Sequence, residues 1–184
     1  MAPAFRVVDL DVTALAERLE DTSLYGKYDW RKEKYAHRDM KDIWVRYNHP
    51  DNIGEHFNDE HTSVWYPIIK EIPEVLPVCT ALMQVVNGER LGGVLITRLP
   101  PGGKIARHVD EGWHAGYYDK FFVPIKNEPG ALFCWDDLTL EPNPGEVWQF
   151  DNSVPHWVEN NSTEDRIAMI VCIKSMWSAL NVSA

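Results

Sequence analysis

From residue 92 onward the apolar positions come in short runs, rich in β-branched and aromatic side chains and separated by turn chemistry. GGVLITRL is followed by a Pro-Pro-Gly-Gly turn, then KIARHVD, KFFVPI, a turn at 127–130, ALFCW, a Pro-rich turn at 142–145, EVWQF, HWV and RIAMIVCIK. About eight such strands with no helix between them predict a β-sandwich or barrel of jelly-roll type. The first 90 residues read differently. Asp11 or Thr13 caps a short amphipathic helix with Leu15 and Leu19 on one face, and Pro67 starts another short helix. A longer helix is expected from Pro77 to Val86, stopped by Asn87-Gly88. No linker, repeat or low-complexity segment divides the chain. The expectation is one mainly β (α+β) domain over 1–184, with helical and irregular support over 1–90 packed on a β core over 91–176.

Charge changes the picture by exclusion. The 184 residues carry 28 Asp and Glu against 18 Lys and Arg, a net charge of −10. Such a surface repels phosphate backbones and anionic lipid, so neither nucleic acid nor a membrane is an expected partner. One segment runs against this trend: residues 27–46 carry seven basic and four acidic side chains, interleaved with Trp30, Tyr35 and Trp44. It reads first as a solvated charged face and second as a patch able to hold an anionic group. The three cysteines at 79, 134 and 172 are too far apart for a disulfide framework or zinc-ribbon spacing. With no leader pattern and no apolar stretch long enough to span a bilayer, a cytoplasmic protein is expected.

The chemistry concentrates around His108-Val109-Asp110. In an extended segment residues i and i+2 share a face, so His108 and Asp110 can bind one ion together. His156, which follows the EVWQF strand and a loop at 152–155, is the best third ligand. Two imidazoles and one carboxylate on one side of an ion, with positions left open, form the facial triad of non-haem Fe(II) oxygenases. Arg166 follows His156 by ten residues and opens the last apolar strand. A hairpin between 156–160 and 166–174 would turn it into the barrel, where a buried guanidinium needs an anion; a dicarboxylate co-substrate supplies one. His49, His56 and His61 form a second local cluster with Asp51, Asp59 and Glu60, but their spacing fits no regular element and reads as a polar loop.

The stretch LPPGGKIARHVD…KFFVPI…GEVWQFDNSVPHWVENNSTEDRIAMIVCI resembles the aspartyl/asparaginyl β-hydroxylase-like family of Fe(II)/2-oxoglutarate-dependent oxygenases. The resemblance covers 92–174 and implies a double-stranded β-helix, the cupin-like form of the jelly roll, with Fe(II), 2-oxoglutarate and O₂ as co-reactants and ascorbate as a reductant in vitro. By position, His108, Asp110 and His156 match the metal ligands, Arg166 the residue binding the C5 carboxylate of 2-oxoglutarate, Lys120 a basic residue contacting the co-substrate, and Thr97 a hydroxyl near it. Some animal members lack the carboxylate ligand, which is present here as Asp110; Phe122 stands where some members have a histidine. RDMKDIWVRY resembles an early strand of the family.

The expected activity is hydroxylation of an unactivated C–H bond of a small molecule, an amino acid or a peptidyl substrate, with release of succinate and CO₂. Trp113, in the aromatic loop after Asp110, and Arg107 and Arg46, as carboxylate anchors, are the candidate substrate contacts. The competing class is a cupin-like isomerase or metal-binding protein without 2-oxoglutarate, which has no general need for both Arg166 and Lys120.

Overall fold

Eleven strands and three short α-helices make up the computed structural model, which describes residues 2–28, 39–52 and 56–176. The elements in chain order are β1 (Ala4–Asp9), α1 (Thr13–Arg18), β2 (Lys41–Tyr47), β3 (Val64–Trp65), α2 (Val75–Val85), β4 (Gly88–Leu99), β5 (Lys104–His108), α3 (Trp113–Tyr117), β6 (Asp119–Lys126), β7 (Ala131–Trp135), β8 (Thr139–Leu140), β9 (Glu146–Phe150), β10 (His156–Asn160) and β11 (Arg166–Ser175). They form a seven-stranded sheet in the order β1-β9-β6-β11-β4-β2-β3, and a four-stranded sheet in the order β5-β10-β7-β8. All pairings are antiparallel, giving the cupin-like jelly roll that the strand pattern and the resemblance imply.

Strand β11 shows why the larger sheet reads as nearly continuous apolar sequence. Ile167, Met169, Val171 and Ile173 pack in one core with Leu15 and Leu19 of the α1 region and Val75, Val78 and Leu82 of α2. Arg166, Ala168, Ile170 and Cys172 alternate to the other face and line a cavity between the sheets. There Leu99 and Phe122 meet Ile105, Phe133, Trp135 and Val158 of the smaller sheet in a second core. Both faces of β11 are therefore covered, and the functional side chains occupy the inter-sheet face.

Four expectations are corrected. The N-terminal part is not helical support alone: β1 pairs with β9, and β2 lies between β4 and β3, so three of its strands belong to the larger sheet. Strand β2 has apolar residues on both faces, which hides the two-residue alternation of an exposed strand. The longer helix begins at Val75, not Pro77, and Pro77 sits in its first turn, where a missing N–H costs nothing. Asn87, at φ 49°, stops it as expected. A helix, α3, does interrupt the strands, between β5 and β6. Finally, β10 and β11 form no hairpin: β10 pairs with β5 and β7, while β11 pairs with β4 and β6 in the other sheet. Arg166 faces the cavity because the chain crosses between sheets. In the basic segment, Trp30 and Tyr35 lie outside the described residues.

Candidate active site

Strand register brings the first two candidate ligands together. His156 of β10 is the cross-strand partner of His108 of β5, and their ring centroids lie 4.5 Å apart. Asp110 follows in the loop, where its backbone N–H donates to the Asn152 carbonyl at 3.1 Å and ties this loop to the one before β10. One ligating atom from each of His108, Asp110 and His156 falls within 4.8 Å of the others. Among the described residues no other group of this kind occurs. His49 and His56 instead approach Asp51 and Asp59 in their own loop.

The backbone sets the tautomer of both histidines. His108 Nδ1 lies 2.8 Å from the Ala106 carbonyl and His156 Nδ1 lies 2.9 Å from the Val154 carbonyl. A carbonyl only accepts, so each Nδ1 carries the proton and each Nε2 keeps its lone pair. Those Nε2 atoms lie 3.7 Å from Asp110, His108 facing Oδ1 and His156 facing Oδ2. Burial lowers the pKa of His156 and so favours the neutral ring. Burial by itself would raise the Asp110 carboxyl, but the Lys120 ammonium, donating to Oδ2 at 2.5 Å, outweighs it and holds the pKa at about 2. At neutral pH Asp110 is thus a carboxylate and burial favours a neutral His156, the forms in which these groups bind a divalent ion. The donor set, with its oriented rings, fits Fe(II).

A cavity of about 550 Å³ runs past this cluster. Arg166 and Thr97 line it from β11 and β4, together with Phe122 and Phe133. Arg166 is 3% exposed, its Nε has no hydrogen-bond partner, and its guanidinium sits 5.0 Å over the Phe122 ring. Burial lowers its pKa to about 10. Its neighbour in sequence, Asp165, pairs with Arg98 instead. A cation without a carboxylate partner among the described residues, on the wall of a cavity beside a metal-type cluster, is suited to an anionic ligand. Elsewhere on the wall stand Trp44, Tyr47, Phe57, Asn58 and His114.

The other sequence candidates separate. Arg107 does not line the cavity; it is exposed and pairs with Asp136 at 2.5 Å. Strand β5 turns it to the outside. Trp113 does not line the cavity either, stacking on Tyr117 with centroids 4.9 Å apart. Arg46 borders the cavity, but its guanidinium donates to the Leu91 carbonyl at 3.3 Å and lies over Trp65. Cys172, buried on the inter-sheet face of β11, also lines the cavity wall.

His114 has a role that the sequence did not reveal. It is buried, its Nε2 accepts the Gly93 N–H at 3.1 Å, and burial holds its pKa down at about 3. That bond takes Nε2 out of competition for a metal. Gly93 makes the approach possible: a Cβ there would lie 3.0 Å from Tyr47 and 3.1 Å from His114. A glycine pair inside an otherwise β-branched strand was the available signal. Gly93→Ala is therefore expected to cost about 1–3 kcal/mol of stability through overpacking, measured by urea unfolding. A change within about 0.3 kcal/mol would show that the wall gives way freely.

Comparison with known proteins agrees with this geometry. The family model described as aspartyl/asparaginyl β-hydroxylase matches residues 17–175. A Pseudomonas putida prolyl-4-hydroxylase has a similar structure with a TM-score of 0.57 at 16% identity, over 94% of this chain and 92% of that one. A prolyl hydroxylase from Trichoplax adhaerens, solved with a hypoxia-inducible-factor peptide fragment, gives 0.56 at 12% identity, over 98% and 88%. An oxidoreductase of the 2OG-Fe(II) oxygenase family from Burkholderia pseudomallei gives 0.54 at 12%, over 92% and 93%. At these identities the likeness is one of fold. No curated protein matches the chain. The family match spans most of the sequence and contains the whole His-Asp-His cluster, and the protein belongs to the aspartyl/asparaginyl β-hydroxylase family of 2-oxoglutarate-dependent hydroxylases.

Proposed function

We propose that the protein is an Fe(II)- and 2-oxoglutarate-dependent dioxygenase that hydroxylates an unactivated C–H bond of an amino acid, another small molecule or a peptidyl substrate. The observation that carries the reading is the pairing of two oriented imidazole lone pairs and Asp110 with a buried, carboxylate-free Arg166 on one cavity wall. His108, Asp110 and His156 hold the metal. Arg166 binds the distal carboxylate of 2-oxoglutarate, and Thr97, buried on the same wall, adds a hydroxyl. When bound, the iron centre supplies O₂ chemistry in which one oxygen atom enters the substrate C–H bond and the other enters succinate, as 2-oxoglutarate loses CO₂.

The chain's own contribution is placement and exclusion of water. The carbonyls of Ala106 and Val154 fix the tautomer of the two imidazoles and keep each Nε2 aimed into the cluster. The Trp44, Tyr47 and Phe57 rings pack with centroids 4.9–5.5 Å apart, a dry wall against which a substrate group can be held near the metal. The peptide fragment in the Trichoplax adhaerens structure and the prolyl activity named for the Pseudomonas putida enzyme support a peptidyl or amino-acid substrate.

The test is direct. Enzyme, Fe(II), 2-oxoglutarate and ascorbate are incubated with a metabolite and peptide extract under ¹⁸O₂ and followed by mass spectrometry. One labelled oxygen should appear in a product and one in succinate, in equal amounts. Failure of 2-oxoglutarate to yield succinate with metal, O₂ and extract all present would refute the reading.

A further inference from the structure

The two histidines are held by backbone carbonyls, whereas the carboxylate is held by a side chain. Lys120 Nζ donates to Asp110 Oδ2 at 2.5 Å, and the two side chains are only 13% and 24% exposed. The contact crosses the cavity. Lys120 sits near the start of β6 in the larger sheet, opposite Cys172 of β11, while Asp110 follows β5 of the smaller sheet. Both carboxylate oxygens border the space between the imidazoles, Oδ1 at 3.7 Å from His108 Nε2 and Oδ2 at 3.7 Å from His156 Nε2, and Oδ2 is the one that carries the ammonium. Arg166, the other cation expected to serve the co-substrate, sits six residues away from Cys172 along β11, roughly 20 Å at the rise of a strand. Lys120 is therefore placed at the metal cluster and not beside the carboxylate clamp.

We propose that Lys120 is a positioning residue: by occupying Oδ2 it makes Asp110 a one-oxygen ligand through Oδ1, and so keeps open the coordination positions that co-substrate and O₂ require. The inference rests on the metal reading above. An octahedral ion bound by two imidazoles and one carboxylate oxygen has three positions left, enough for a chelating 2-oxo acid and O₂. A carboxylate binding through both oxygens would take one of them. The ammonium also puts a positive charge beside the cation, which weakens metal binding. The two effects have the same sign. Without Lys120 the protein should bind a divalent ion more tightly and the co-substrate less well, whereas a residue whose whole task is to touch 2-oxoglutarate would leave binding of the metal alone unchanged.

The experiment titrates Mn(II) by calorimetry into the full-length metal-free protein, without 2-oxoglutarate, for the wild type, Lys120→Met, Lys120→Gln and Lys120→Arg. Circular dichroism first establishes that each variant folds. Lys120→Met should bind Mn(II) about tenfold more tightly, in the range by which neighbours of ligands tune metal affinity. Lys120→Arg, which keeps donor and charge, should stay within about threefold of wild type, and Lys120→Gln, which keeps a donor to Oδ2 without the charge, should tighten by less than Lys120→Met. Added to the Mn(II)-loaded proteins, 2-oxoglutarate should bind Lys120→Met at least about tenfold more weakly than wild type. Mn(II) affinity in Lys120→Met that is unchanged or weaker overturns the proposal. So does equal tightening in Lys120→Gln, which would reduce Lys120 to its charge. His156→Ala separates the two levels: loss of Mn(II) binding there, with Lys120→Met like wild type, leaves the metal site standing and removes the role of Lys120. A wild type that binds no Mn(II) removes both.

Discussion

His156→Ala and His108→Ala are expected to abolish Fe(II)-dependent formation of succinate from 2-oxoglutarate, with a loss well beyond about 100-fold. Replacing a neighbour of a ligand costs about 10–100-fold in metal affinity or activity, and removing a ligand costs more. His156 offers the sharper case. Its Nδ1 is fixed on the Val154 carbonyl, its ring packs 5.5 Å from Phe150 and 5.8 Å from Phe133, and its Nε2 faces Asp110. Alanine removes both the lone pair and a packed ring, so His156→Gln is the companion variant, keeping most of the volume without the oriented imidazole. Circular dichroism confirms the fold, a Mn(II) titration reads the metal, and succinate reads the chemistry. The expected result is folded protein, lost metal and no turnover in both variants. Turnover at wild-type level in either histidine variant would sink the metal assignment.

Arg166 carries the second large effect. Arg166→Ala or Arg166→Met should weaken 2-oxoglutarate by about 2–4 kcal/mol, the usual cost of truncating one side of a buried charge pair, or roughly 30- to 700-fold in affinity. The side chain is buried, its Nε has no partner, and its pKa is lowered to about 10 by burial, so folding already works against its charged form. A methionine there should therefore leave the protein without 2-oxoglutarate at least as stable as wild type. A guanidinium serving mainly to hold the fold together would show the opposite, a marked loss of stability. Saturating 2-oxoglutarate should raise the Tm of metal-loaded wild type and have little effect on Arg166→Met. Equal affinity in the two proteins would refute the clamp.

The legible parts of the site share one property: they are local in sequence or carried by the family resemblance. The two-residue spacing of His108 and Asp110 in an extended segment already implies a common face, and the RIAMIVCIK strand announces its own burial. Of the N-terminal strands only β2 was legible, and only through the family resemblance of RDMKDIWVRY. Strand β1 is a short edge strand and β2 is buried on both faces, so neither shows the long alternation that single-sequence reading detects. Arg107 and Trp113 illustrate another limit. Both are adjacent in sequence to the metal cluster, yet one pairs outward with Asp136 and the other stacks on Tyr117. Chain proximity does not specify the direction of a side chain where a strand ends in a loop and a one-turn helix.

The sequence by itself determined the strand-rich class of this protein, its acidic surface, and the choice of the three candidate ligands and of Arg166, because residue type, two-residue periodicity and motif spacing are properties of the chain alone. Tertiary structure decided what required two strands at once. It set His108 opposite His156 through strand register, and turned Arg166 inward by a crossing between sheets where the sequence suggested a hairpin. It seated His114 against a glycine 21 residues away and set Lys120 on Asp110 across the cavity. Such contacts depend on register and on how two sheets face each other, and these follow from packing the whole chain around one core.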